Sequence, residues 1–173
     1  MADINLLIPK ILLAEGDYNE VKNDLGGTTN KGITIATWKA NGWDKDYDDD
    51  VDKEDLKLIT IDDFKIIFRK FYWDKFKADE IIDQSVAEIL VDWIYNSGPV
   101  AIHKLQIIVG VTEDGVVGPN TLKMINNTNP KILFDRIWAT RYKFYHTIVE
   151  KNPTQEKFLK GWLKRLGEIR FKK

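Results

Sequence analysis

The chain contains no cysteine. Disulfides, thiol catalysis and cysteine-based metal sites are therefore excluded, and the redox compartment has no signature in thiol usage. It also lacks net charge: 26 Lys and Arg face 27 Asp and Glu, a formal charge of −1. Without an overall basic field, no nucleic-acid partner is expected. No apolar run approaches the roughly 18 residues of a membrane span, so stable membrane insertion is not expected either. No secretory signal is visible, because Met1-Ala2-Asp3 has no basic region and Pro9-Lys10 interrupts the first apolar stretch. The two histidines, His103 and His146, are isolated in the sequence and are expected to be structural.

What is present describes an ordinary globular protein. The 173 residues are 43% hydrophobic and 31% charged, enough for one domain or two small lobes sharing a core. Ile4, Leu7, Ile8, Ile11 and Leu12 recur at helical spacing, which predicts a helix over 4–15 and requires Pro9 to sit in its first turn. Residues 17–43 are rich in Asp, Asn and Gly and read as turns, with a short strand around Gly32-Ile33-Thr34. Thr60-x-x-Asp63 has the form of a capping box with Asp in place of Glu, followed by Phe64, Ile67, Phe68 and Phe71 on a buried face. A strong helix over 83–96 carries Val86, Leu90 and Trp93 or Ile94 inward. Gly98 stops it and Pro99 suits the start of the next, which runs to about Val109. Gly118-Pro119 opens another. The longest covers 130–150, with Ile132, Leu133, Ile137, Tyr142 and Phe144 among its apolar positions, and Phe158, Trp162, Leu166 and Ile169 pattern a last one. The fold class expected is mainly α with at most a short β-hairpin, in two lobes.

Residues 15–34 carry the densest chemistry. Glu15 ends the apolar run Ile11-Leu12-Leu13-Ala14, Asp24 follows nine positions later, and Gly26-Gly27 and a Thr/Asn/Gly cluster come next. A carboxyl held against apolar surface is favoured in its neutral form, as a general acid near neutral pH must be. A second polar group across a turn can hold or activate water. The pair suits cleavage of a glycosidic bond.

The run Glu15-Gly16-x-Tyr18 … Asp24-x-Gly26-Gly27-x-Thr29-Asn30-x-Gly32-Ile33-Thr34 resembles the glycoside hydrolase family 108 muramidases, lysozyme-like enzymes of bacteria and their phages. Tyr72-Trp73, Asp92-x-x-x-Asn96-Ser97-Gly98, Leu105-Gln106, Asp114-Gly115-Val116-Val117-Gly118-Pro119, Gly161-Trp162 and Arg165 follow in the same order, so the resemblance spans residues 5 to 168. It departs at one place: the family pattern Glu-Gly-Gly-Tyr has Asp17 as its third residue here, a residue that tolerates left-handed geometry but adds charge beside Glu15.

The resemblance implies a lysozyme-like catalytic domain over 1–95 and a helical peptidoglycan-binding domain over 96–173. The implied reaction cleaves the β-1,4 bond between N-acetylmuramic acid and N-acetylglucosamine, with peptidoglycan glycan strands as partner and no cofactor or metal. Glu15 would protonate the leaving oxygen. Asp24 has two readings: it orients water or stabilises the oxocarbenium-like state, or it is an Asx-turn residue shaping the Gly26-Gly27 bend. The Thr29 or Thr34 hydroxyl is a further candidate for positioning water, and Asn30 for contacting the N-acetyl group. Tyr72, Trp73, Tyr95 and Asn96 are candidates for lining a saccharide groove; for Trp73, core packing is the competing role. Asp92 and Asn96 share a helix face and bridge the two lobes as an alternative to touching substrate.

Asp44-x-Asp46-x-Asp48-Asp49 … Asp55 imitates a calcium loop but has Asp at both the sixth and twelfth positions, where Gly and Glu belong, and reads as a solvated acidic loop. The basic tail from Lys157 to Lys173 reads as a solvated helical face or as a surface for anionic wall polymers. Synthesis in the bacterial cytoplasm and action at the cell wall or periplasm would need a route of release, such as the membrane pore that phage endolysins use. Two other functions compete with hydrolysis: a silent peptidoglycan-binding or secretion-assisting protein, and a lytic transglycosylase using Glu15 without water. Nothing in the sequence specifies an oligomeric state.

Overall fold

The structure, a computed structural model, describes residues 1–15 and 28–172, with the backbone alone for Glu15. Among these residues the protein is mainly α-helical: nine α-helices and one two-stranded antiparallel hairpin. They form two compact units, Asn5–Phe71 and Met1–Ile4 with Tyr72–Lys173.

The smaller unit holds α1 (Ile4–Glu15), β1 (Thr29–Asn30), β2 (Ile33–Thr34), α2 (Ile35–Asn41), α3 (Lys53–Leu58) and α4 (Ile61–Phe68). Leu7, Ile8 and Ile11 of α1 are buried, as the periodicity predicts. Pro9 is the sixth residue of α1 rather than part of its first turn. It is exposed there, so the helix loses one backbone donor without burying an unpaired group. Residues 35–41, expected as turn, are helical. The Thr34 side chain caps α2 by accepting from the Thr37 backbone N–H, and Trp38 anchors it with no solvent exposure. The capping box at α4 is complete: the Thr60 backbone N–H donates to Asp63 Oδ2 at 2.6 Å and the Asp63 N–H donates back to Thr60 Oγ1 at 3.2 Å. A second box, Asp52 with Asp55, starts α3 at the end of the acidic run.

The larger unit is built on α5 (Gln84–Ser97), whose residues from Ser85 to Ile94 are all buried. A helix covered all round is a central helix. It packs on α6 (Val100–Val109) and α8 (Pro130–Lys151), while α7 (Pro119–Asn127) and α9 (Glu156–Glu168) pack on α8. Gly98 closes α5 at φ 70°, ψ −160°, a conformation essentially restricted to glycine. Along α8 the buried positions are Leu133, Phe134, Ile137, Arg141 and Tyr145. Ile132 and Tyr142, two of its apolar positions, are exposed, because the inward stripe lies one position away from them. Between α6 and α7 the chain is held by the fully buried Gln106. Its amide donates to Asp114 Oδ1 at 2.6 Å and to the Val116 carbonyl, and its Oε1 accepts from the Gly115 N–H. His103 is not isolated as expected: its Nδ1 lies 3.4 Å from Glu113 Oε1. Among the described residues no helix is long and apolar enough to cross a membrane.

Candidate functional site

The β1–β2 hairpin turns on Lys31 and Gly32, at φ 51° and 80°. Two positive φ angles in a two-residue loop are the signature of the type I′ turn, whose twist matches the flanking strands. The register pairs Thr29 with Thr34 and Asn30 with Ile33. Directly opposed residues share a face, so the two candidate threonines stand together on one face while Asn30 and Ile33 are buried on the other. The Thr34 hydroxyl is committed to capping α2, accepting from the Thr37 N–H at 3.1 Å and meeting Thr37 Oγ1 at 3.0 Å. Thr29 carries the hydroxyl on that face that caps no helix.

Asn30 is only 3% exposed, and its amide nitrogen donates to the carbonyls of Leu56 at 2.8 Å and Lys57 at 3.4 Å. It fastens the hairpin to the end of α3. That bonding accounts for a buried Asn on a tight hairpin without a ligand. The backbone of Glu15 closes α1. Asp24 and Asp17 lie outside the described residues.

The aromatic candidates belong to the larger unit. Tyr72 and Tyr95, both half-buried, meet edge to face at 4.8 Å and 76°. Asn96 is exposed on the last turn of α5. Trp73 has no exposed surface and its indole N–H donates to Asp79 Oδ1 at 2.8 Å. It is a support beneath the surface in this arrangement, the packing role weighed for it.

Under Tyr95 lies a buried ion network. Asp92 Oδ1 accepts from Arg141 Nη2 at 2.7 Å, and Asp92 Oδ2 accepts from Arg165 Nε at 2.9 Å. Arg141 also donates from Nε to the Tyr145 hydroxyl at 2.7 Å, and the Arg165 guanidinium lies 5.5 Å over the Tyr95 ring. Asp92 therefore joins α5 to α8 and α9 within one unit. The ordered motifs contain Asp92 and Arg165 but not Arg141 or Tyr145. Their signal was spacing: both continue the four-residue step from Leu133 through Ile137, which places a cation on an apolar stripe.

Two acidic groups, Asp44 with Asp46 and Asp48, and Asp50 with Asp52 and Asp55, bring carboxylate oxygens within 4.8 Å of one another. Several of those oxygens already serve the backbone. Asp44 accepts from the Tyr47 and Asp49 N–H groups, and Asp55 from those of Lys45, Asp46 and Asp52. The Lys45 and Asp52 amide donors hold the Asp55 carboxyl below its usual range. Burial, with Asp48, Asp55 and Asp44 nearby, pushes Asp46 up. The donor set is that of a self-capped acidic loop.

The chain belongs to the Glycosyl hydrolase 108 family, which it matches over residues 8–98, and it matches the Predicted Peptidoglycan domain over residues 100–167. It is thus a glycoside-hydrolase-family protein that acts on peptidoglycan. Among solved structures it is similar to Brucella abortus SagA, at 29% identity and TM-score 0.74, covering 95% of this chain and 90% of that one. No curated protein matches the chain. The compact units part between Phe71 and Tyr72, whereas the two family matches meet between residues 98 and 100.

Proposed function

We propose that the protein is an N-acetylmuramidase that hydrolyses the β-1,4 bond between N-acetylmuramic acid and N-acetylglucosamine. The observation that carries this reading is the family match, which runs unbroken from α1 through Glu15 and the hairpin to Gly98 and so takes in every candidate catalytic residue. Glu15 donates its proton to the glycosidic oxygen as the bond to the anomeric carbon breaks. Glu15 is the last residue of α1. Water adds to the anomeric carbon, and its proton passes to Asp24 directly or through the Thr29 hydroxyl. Thr34, on the same face, caps α2. Tyr72, Tyr95 and Asn96 offer ring faces and an amide to the sugars. The step needs no metal or organic cofactor. The site of action is the cell wall, with peptidoglycan strands as the partner.

Digestion of purified peptidoglycan in heavy-oxygen water, followed by mass spectrometry, tests the reaction. Hydrolysis predicts N-acetylmuramic acid reducing ends that carry one solvent oxygen. Anhydro ends without solvent oxygen would replace the hydrolase with a lytic transglycosylase.

A further inference from the structure

On α9, Phe158, Trp162 and Arg165 fall on one edge, spaced by four and three residues. Phe158 is 46% exposed. Its face lies near parallel to Trp162 at 6.0 Å and 27°, and Trp162 in turn stacks on Tyr145 at 5.4 Å. At the other end of the edge Arg165 covers the Tyr95 ring, which meets Tyr72. Rings and a guanidinium thus follow one another from Phe158 to Tyr72 within one unit. From Phe158 to Arg165 the helix rises about 10 Å, which lengthens the contact beyond the Tyr95–Tyr72 surface.

One cation sits on this edge: Lys157 Nζ lies 4.9 Å over the Phe158 ring, whereas the Arg165 guanidinium is already paired with Asp92. Ring faces suit the apolar faces of sugars, while ammonium and guanidinium groups suit the carboxylates of muramic acid and of stem peptides. The peptidoglycan match spans this helix without distinguishing any of its residues.

We infer that the edge of α9 from Phe158 to Arg165 is a glycan-binding strip for peptidoglycan strands, continuous with the Tyr95–Tyr72 surface. It rests on the reading that Tyr95 and Tyr72 take saccharide. Phe158 supplies the ring face with Trp162 and Tyr145 stacked behind it, Lys157 pairs with a wall carboxylate, and Arg165 positions Tyr95 through its stack and its ion pair with Asp92.

Equilibrium binding of the full chain to uncrosslinked glycan strands and to a muramyl tetrasaccharide tests the strip, with Phe158→Ala and Lys157→Gln beside the wild type. Phe158→Ala is expected to weaken strand binding about fivefold while tetrasaccharide binding changes far less, so the preference for long chains shrinks. Lys157→Gln is expected to flatten the salt dependence of strand binding. Unchanged strand affinity in Phe158→Ala, or an equal loss on both ligands, overturns the proposal. Binding decides the strip even if the wild type cuts nothing. Cleavage with unaltered strand binding in Phe158→Ala removes the strip and leaves the proposed hydrolysis standing.

Discussion

At Asp92 one carboxylate faces two guanidinium groups, and Arg141, one of them, has no exposed side-chain surface. A buried charge whose partner is removed stays uncompensated. Asp92→Asn is therefore expected to cost about 3–5 kcal/mol in equilibrium denaturation, the range for breaking a buried pair. A loss below about 1 kcal/mol would mean that Arg165 and Arg141 find other partners or that the pair is not buried in solution. Gly115 gives a second residue-scale expectation. It sits at φ 75°, and a Cβ there would lie 2.8 Å from His103 Nε2. Gly115→Ala should lower the unfolding free energy by about 1–3 kcal/mol, measured by thermal or denaturant melts, and an unchanged melt would contradict the turn geometry. Sequence reading found Asp92 and Arg165 through their motifs and missed Arg141. A helical pattern counts Arg as polar and assigns it to solvent, so its burial becomes visible only when an acid from another helix is placed opposite it.

At the scale of elements, caps were the legible part. Thr60-x-x-Asp63 declares its own hydrogen bonds, and both are present. Lys45 extends that cap by pairing with Asp63. Thr60→Ala removes the hydroxyl that accepts from the Asp63 N–H and should cost about 1 kcal/mol, read as a shift in the denaturation midpoint with the slope unchanged. No shift would mean that Lys45 and Asp63 hold the helix start without it. Helix α2 was illegible for the opposite reason. It has only seven residues, it follows a segment whose Asn, Gly and Thr content reads as turn, and its stability comes from Trp38 in the core rather than from propensity. The acidic run hid α3 in the same way: Asp55, the last position of the calcium-like spacing, is one half of a cap whose other half is Asp52.

For the whole molecule, the net charge near zero leaves acid stability to a few carboxylates. Gln106 and the Val116 N–H hold Asp114 low; the Lys45 and Asp52 amides do the same for Asp55. For Asp63, burial works upward, but Lys45 and Thr60 outweigh it and the carboxyl is held low. A carboxyl whose folded pKa is depressed contributes stability that is present above its unfolded value, near pH 3.9, and is lost as pH falls through the folded one. Asp50, raised by Asp48, and Asp46 act in the opposite sense, but on an exposed loop where solvent and salt weaken the effect. The melting temperature is expected to fall as pH drops below about 4 at fixed salt. A melting temperature that rises on acidification would show that repulsion in the acidic loop dominates instead. Fold class and family were legible because an ordered set of short motifs spans almost the entire chain. The second catalytic group was not, since its identity depends on the separation of two carboxyl groups, which no spacing in sequence supplies.

If Glu15 is the acid that cleaves the glycan, Glu15→Gln beside wild type on purified peptidoglycan, with turnover and wall binding followed together, shows it. Reducing N-acetylmuramic acid ends are expected from the wild type, turnover in the variant reduced by a factor of roughly a hundred or more, and wall binding retained by both. Equal turnover in the two proteins would contradict the assignment of Glu15, and wall binding without turnover in either would contradict the hydrolase itself.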